Sequence, residues 1–316
     1  MTIDIICAVH NGARHVEELF ASLQAQTISD WRCWVRDDGS TDDSAARIDA
    51  WCAREPRITL LHRGAPALGA AGAFGSLLEH LPADASVIAC ADHDDVFLPD
   101  RLEKSLAALR AAESASGGPI LVHSDLEVVD ESLRTLQPSF WRAAALDVRQ
   151  TDLRRIAVDN VVTGSTITMN RALVDRLGAH APATVTHQDA WFALTAAAFG
   201  RIVAIPEVTV KYRQHPANAV GALARASHSR RSLWTALRRG IGERAQYRTD
   251  LKRSCALASA FVERFGDVLA PADRKFLEAY GALPGRGALA RKFGVLTLRA
   301  RPGRTLLGAL GEFVRA

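Results

Sequence analysis

Val87-Ile88-Ala89-Cys90-Ala91-Asp92-His93-Asp94-Asp95 decides how the chain is read. Five small or apolar residues read as a buried strand, and three carboxylates then arrive within four positions. A strand interior cannot carry that charge, so the acids belong at the strand's exit, on the edge of a sheet. Carboxylates crowded this closely repel one another unless a cation is shared. Hard ions such as Mg²⁺ or Mn²⁺ take oxygen ligands of this kind, usually together with substrate phosphates. The plain alternative is a solvated acidic turn ahead of the helix that Pro99-Asp100 opens.

A second acidic cluster, Asp37-Asp38-Gly39-Ser40-Thr41-Asp42, weighs against that alternative. It follows Trp31-Arg32-Cys33-Trp34-Val35, whose aromatic and β-branched character reads as a strand, and it precedes a helical run from Asp43. Gly39 and Ser40 allow a tight turn, and Thr41 or Asp42 can cap the helix. Two strands of one sheet, each ending in acids, point to a nucleotide and a metal in one crevice. In open α/β sheets, ligands bind outside the carboxyl ends of the strands.

Working outward, strands 3–9, 31–37, 57–62 and 86–91 alternate with helices 14–26, 43–54, 70–80 and 99–115. This implies right-handed crossovers and a mostly parallel sheet covered on both faces. Residues 119–123 read as a further strand and 125–150 as a long irregular excursion over the sheet edge. Then follow strand 164–169, helices 171–177 and 188–199, and two strands, 201–205 and 207–213.

Seven segments carry a family resemblance, in order. They are Ile3-Asp4-Ile5-Ile6-Cys7-Ala8-Val9-His10-Asn11-Gly12, the D-D-G-S-T-D turn at 37–42, and D-H-D-D-V-F-L-P-D-R-L at 92–102. Downstream come His123 to Asp130, Gly164 to Arg171, and Gln188-Asp189-Ala190-Trp191 with Tyr212-Arg213-Gln214-His215-Pro216-Ala217-Asn218. Over residues 1–221 the chain resembles glycosyltransferase family 2, inverting nucleotide-sugar transferases with the GT-A fold. The later segments resemble its rhamnosyltransferase-like branch.

The resemblance implies roles for particular residues. Asp92 and Asp94 form the D-x-D pair, Asp94 ligating Mn²⁺ or Mg²⁺ and Asp92 contacting the ribose or the metal shell. Asp95 points away and could cap the following helix. Asp38 accepts from a nucleobase edge, as a carboxylate at a strand end can. Ala8, Val9 and Asn11 lie against the base, with His10 beside them; the family more often has a hydroxyl or aromatic residue in this stretch. Asp189, opening a helix, is the base that deprotonates the acceptor hydroxyl, and desolvation by Trp191 would raise its pKa. His215 completes the metal shell, an imidazole favouring Mn²⁺. Arg213 pairs with phosphate or with a site carboxylate. Gly69-Ala70-Ala71-Gly72-Ala73-Phe74-Gly75 mimics a phosphate loop but lacks the Gly-Lys-Ser/Thr that would make it one.

Composition bounds the rest. Of 316 residues 48% are hydrophobic and 23% charged, ordinary for a globular protein. Neither a secretory signal nor an apolar run of membrane-spanning length is evident. Cys7, Cys33, Cys52, Cys90 and Cys255 are odd in number and have no CxxC spacing. They are expected to be reduced thiols in a cytoplasmic protein. Residues 1–221 carry 20 Lys+Arg against 28 Asp+Glu, whereas 222–316 carry 19 against 7. The chain therefore divides into a catalytic domain, 1–221, and a basic, mainly helical region, 222–316. In that region Leu233, Trp234, Leu237, Ile241, Leu251 and Cys255 approximate one stripe beside many arginines. Such a helix either lies on an anionic membrane or packs on the catalytic domain with a solvated basic face. No nucleic-acid-binding module is recognisable.

The expected activity is transfer of a sugar, rhamnose by branch resemblance, from a dTDP- or UDP-linked donor to a glycan or lipid-linked acceptor in surface polysaccharide synthesis. The alternatives are a sugar-nucleotide pyrophosphorylase, whose glycine-rich basic signature Val9 to Arg14 does not supply, and a non-catalytic nucleotide-sugar-binding subunit.

Overall fold

A computed structural model of the chain describes residues 2–178, 182, 184–214 and 240–287, with 289, 294 and 297. The described residues fall into two compact units. One comprises 2–151, 161–178 and 187–214, and the other 152–160, 184–186 and 240–287. The sequence boundary at 221 lies outside the described residues, as do His215 and the basic run up to 239.

The first unit begins as the sequence alternation predicts. Strand β1 (Ile3–Val9) leads to helix α1 (Val16–Gln24), β2 (Trp31–Asp37) to α2 (Ser44–Arg54), β3 (Ile58–His62) to α3 (Gly69–Glu79). Then come β4 (Val87–Asp92), the short β5 (Val96–Phe97) and α4 (Arg101–Ser116). β1 and β4 are apolar along almost their whole length because both faces are covered: Ile5, Ile6 and Cys7, and Val87 through Ala91, are fully buried. α1 presents Val16, Leu19, Phe20 and Leu23 to this core at helical spacing.

The second half departs from expectation. β6 (Ile120–Val129) does not stop at 123 but continues through the stretch read as irregular, followed by β7 (Thr135–Gln137) and α5 (Phe140–Ala144). The charged Asp125 is tolerated inside β6 because its carboxylate accepts from the Trp141 amide at 3.0 Å, the Leu126 amide at 2.8 Å and the Ser139 hydroxyl. Helix α6 (Leu153–Val158) belongs to the other unit. The strand expected at 164–169 is a 3-10 turn, Gly164–Thr166, followed by the short β8 (Thr168–Asn170). α7 (Arg171–Leu177) and α8 (Gln188–Phe199) fall where predicted. The two expected last strands are one, β9 (Arg201–Arg213). β9 absorbs Pro206 in a bulged stretch: Ser124 pairs with Ile205, Asp125 with Val208 and Leu126 with Val210, so β9 carries three more residues than β6 there.

Among the described residues the strands form one sheet in the order β3-β2-β1-β4-β8-β6-β9-β5, with β7 on β6. β3, β2, β1 and β4 are parallel to one another, and β6 and β9 are parallel. β8 runs antiparallel between β4 and β6. This insertion matters for function. Because β8 runs against β4, the turn that precedes it, Gly164–Thr166, is brought to the carboxyl end of β4.

In the second unit α6 packs with α9 (Gly240–Phe265) and α10 (Pro271–Gly281). Its core includes Ile156, Cys255, Phe261, Leu277 and Tyr280, and the Tyr280 hydroxyl lies 2.8 Å from Ser254 Oγ. No helix among the described residues is long and apolar enough to cross a membrane.

Candidate active site

Strand register assembles the site. Ala8 pairs with Arg36 on one side and Asp92 on the other, and Val9 pairs with Asp37, so the acidic ends of β2 and β4 flank the end of β1. Three elements then converge on Asp92. A Cβ placed on Gly164 would stand 3.7 Å from Asp92 Oδ2, 3.8 Å from Asp189 Cβ and 3.2 Å from Gln188 Nε2. The first turn of α8 and the turn before β8 thus face the D-x-D carboxylates.

The electrostatics match that crowding. Desolvation first, then the charges of Asp94 and Asp189, together raise the Asp92 carboxyl to about 7. Asp95 is also raised, first by burial and then by Asp94 and Asp92. It points inward at 1% exposure and does not cap α4; instead Oδ1 accepts from the Arg213 amide at 3.1 Å. Tyr212 stands within electrostatic reach of Asp95, Asp92, Asp94 and Asp189; burial, then these charges, raises its phenol.

Among the described residues no three His, Cys, Asp or Glu side chains are gathered as a metal site. Asp92 and Asp94 nonetheless fit a hard divalent cation. They are partly exposed oxygen donors two residues apart whose mutual repulsion is already visible, and a shared cation is what relieves it.

Beside this cluster, the first turn and the D-D-G-S-T-D turn are tied together. Asn11, in the left-handed region at φ 51°, donates its amide to Ser40 Oγ at 2.9 Å and accepts from the Thr41 amide at 2.8 Å. Gly12 and Ala13 donate to Ser44 Oγ and Asp42 Oδ2 at 2.8 and 3.1 Å. His10 Nδ1 lies 2.9 Å from the Asp38 carbonyl and so carries the proton. That leaves Nε2 to accept from the Asn11 side chain at 3.2 Å. Val9 has its side chain wholly in the core, and Ala8 is partly buried.

Asp38 is 4% exposed and held from three directions. Oδ1 accepts from Arg36 Nε at 3.0 Å and from the Leu68 amide at 2.9 Å; Oδ2 accepts from the Gly69 amide at 2.9 Å. The glycine-rich run is therefore helix α3, its first amides stapled to β2 by a carboxylate. Oδ2 retains one acceptor position. Arg213 comes to the same turn as Asp94: its Nε donates to the Asp94 carbonyl at 2.9 Å.

Two residues escaped the sequence reading. Arg36 neutralises Asp38, and its signal was a cation inside a strand immediately before paired acids. Arg101 is fully buried at the start of α4 and binds the carbonyls of Ser165, Cys90 and Ile167 at 2.8, 3.2 and 3.2 Å, which joins β4 to the Gly164 turn. A cation at a helix N-terminus opposes the macrodipole, so its presence in Pro99-Asp100-Arg101-Leu102 was itself a clue.

Residues 4–177 match the family model described as "Glycosyl transferase family 2". An uncharacterized glycosyltransferase of Nostoc is 28% identical over 137 residues, 43% of this chain but only 40% of that protein's length. Two solved structures share the fold. Staphylococcus aureus TarS 1–349 in complex with UDP-GlcNAc has TM-score 0.60 at 16% identity, covering 100% of this chain and 81% of that one. The mannosyltransferase PcManGT of Pyrobaculum calidifontis, in complex with GDP-Man and Mn²⁺, has TM-score 0.55 at 19% identity, covering 98% and 77%. With the acidic strand ends, the α/β sheet and the family model in agreement, this chain belongs to glycosyl transferase family 2 and has the GT-A fold.

Proposed function

We propose that the chain transfers a sugar from a nucleoside-diphosphate sugar to a hydroxyl of a glycan or lipid-linked acceptor, with inversion and with help from a divalent cation. The observation that carries this reading is the meeting of Asp92 of β4 and Asp189 of α8 across the side-chain-free surface of Gly164, with Asp94, in the turn after β4, within electrostatic reach of Asp92. Asp94, with Asp92, would hold Mn²⁺ or Mg²⁺, and His215 would add to that shell. When bound, such an ion neutralises charge on the leaving diphosphate. Asp189 takes the proton from the acceptor hydroxyl as the oxygen–anomeric carbon bond forms and the carbon–phosphate oxygen bond breaks. Asp38 Oδ2, with its free acceptor position, takes a base N–H, and Ala8 and Asn11 form the wall on which the base rests, while Val9 backs that wall from the core.

The two similar structures hold different nucleotides, UDP and GDP, so what they share is the diphosphate sugar. The finer reading, from the late sequence segments, is a dTDP- or UDP-linked donor carrying rhamnose and a place in surface polysaccharide synthesis. The basic C-terminal region would contact an anionic membrane from the cytoplasmic side.

A panel of nucleotide-sugars with MnCl2, read by thermal stability, tests the donor. A donor at a hundred times its Kd adds about 2.7 kcal/mol, which is roughly 5–10 °C in a domain of this size. Asp189→Asn should keep that shift and lose transfer. A transfer rate in Asp189→Asn equal to the native rate removes Asp189 as the base, and a panel without any stabilising donor removes the reading.

A further inference from the structure

We propose that Arg213 and Glu18 form a strut that fixes the backbone of the Asp92–Asp95 turn, so that a solvent-facing glutamate on α1 governs how well that turn takes a divalent cation. The second half of this statement rests on the function proposed above.

Sequence alone assigned Arg213 to a phosphate or a site carboxylate. The geometry engages its guanidinium with three protein acceptors. The side chain is 1% exposed. Nε donates to the Asp94 carbonyl at 2.9 Å, one terminal nitrogen donates to the Glu131 carbonyl at 2.5 Å, and the other pairs with the Glu18 carboxylate. The main-chain amide of the same residue donates to Asp95 Oδ1 at 3.1 Å. One residue at the end of β9 therefore holds consecutive residues of the acidic turn, one by its carbonyl and the next by its side chain. The carbonyl of Asp94 sets the rotation of the peptide plane after it. Pinning it sets the direction in which the Asp94 side chain leaves the turn.

A buried guanidinium needs a compensating anion. Glu18 supplies one from the first turn of α1, where its own side chain is 49% exposed. Glu131 is tied in turn to Arg14 at 2.6 Å. α1, the β6–β7 turn and β9 thus meet on the acidic turn through Arg213. The planar fork matters because three acceptors in different directions are matched by a guanidinium and not by an ammonium. Arg213 and Glu18 are positioning residues under this proposal, and neither touches substrate.

The test compares the native protein with Glu18→Ala, Arg213→Met, Arg213→Lys and the Glu18→Ala/Arg213→Met double variant. Glu18→Ala alters a solvent-facing side chain and keeps the test valid if the Arg213 variants fold poorly. Two readouts are taken: hydrogen exchange in the 92–97 segment without metal, and the MnCl2 concentration giving half of the thermal stabilisation by UDP, GDP or dTDP. Expected are faster exchange in Glu18→Ala and a MnCl2 requirement about 10-fold higher, the scale on which outer partners of metal ligands act. Arg213→Lys should resemble Arg213→Met, and the double variant should be no worse than Arg213→Met. Unchanged exchange in Glu18→Ala overturns the strut. Faster exchange with an unchanged MnCl2 requirement overturns its link to the cation. Faster exchange in a protein whose native form gains no stability from any metal–nucleotide pair leaves the strut standing and overturns the functional proposal.

Discussion

Gly164→Ala separates folding from chemistry. The added methyl meets Gln188 Nε2 at 3.2 Å, the movable end of a side chain, and reaches Asp92 Oδ2 and Asp189 Cβ only at ordinary contact distances of 3.7 and 3.8 Å. Gly164 is not among the residues with positive φ, so alanine fits the backbone. Losing glycine's freedom in the unfolded chain favours the variant by about 0.4–1 kcal/mol, and the push on Gln188 offsets part of that. Net stability should stay within about 1 kcal/mol, a shift in Tm of no more than roughly 2–4 °C. Activity should behave differently, because the methyl stands between the D-x-D carboxylate and the proposed base, where the reacting sugar must lie. A displacement of about 1 Å costs on the order of 100-fold, equivalent to about 2.7 kcal/mol of transition-state stabilisation. Transfer rates measured beside melting curves decide it. If Gly164→Ala, and then the bulkier Gly164→Val, transfer sugar at the native rate while folded, the space over Gly164 is not where the reaction occurs.

Three further outcomes follow from the geometry. Gly200→Ala should lose about 1–3 kcal/mol, seen as a lower Tm, because its Cβ would stand 1.9 Å from the Pro119 carbonyl oxygen, a backbone atom that cannot step aside. Asp38→Asn turns an acceptor toward the Leu68 or Gly69 amide into a donor. It should cost about 1–3 kcal/mol, measurable by urea unfolding, whereas Asp38→Ala with unchanged stability would deny the staple. Glu55 is held down to about 2 from 4.5, chiefly by Arg57. A depressed carboxyl stabilises above its unfolded pKa and loses that contribution as pH falls toward its folded one. The difference between native protein and Glu55→Gln should therefore be on the order of 2 kcal/mol at neutral pH, discounted because Arg57 is 32% exposed. It should close between pH 4.5 and about 2.

The first half of the fold was legible because each strand there is decided locally. Val87 to Ala91 can only be a strand covered on both faces, and the acids after it can only be at an edge. The second half was not, because its polar residues are satisfied at a distance. Asp125 looks like a loop residue until Ser139 and Trp141 are known to cover it. A three-residue strand such as β8 has no periodicity to detect. The same division runs through the site. Asp38, Asp92, Asp94 and Asp189 announce themselves as carboxylates at element ends. The work of Arg213 could not be read, since its partner carbonyl at Asp94 is 119 residues away in the chain, and an arginine beside acids is as plausibly a phosphate ligand as a brace.

The bulged stretch of β9 has a genetic consequence. Side chains alternate faces along a strand, and an odd count of surplus residues between Ile205 and Val210 fixes the parity of everything beyond. Deleting a single codon there would trade the faces of Tyr212 and Arg213 while leaving both amino acids in the protein. In this part of the gene, frame-preserving losses of one residue should be more damaging than most substitutions, and losses of two should be milder than losses of one.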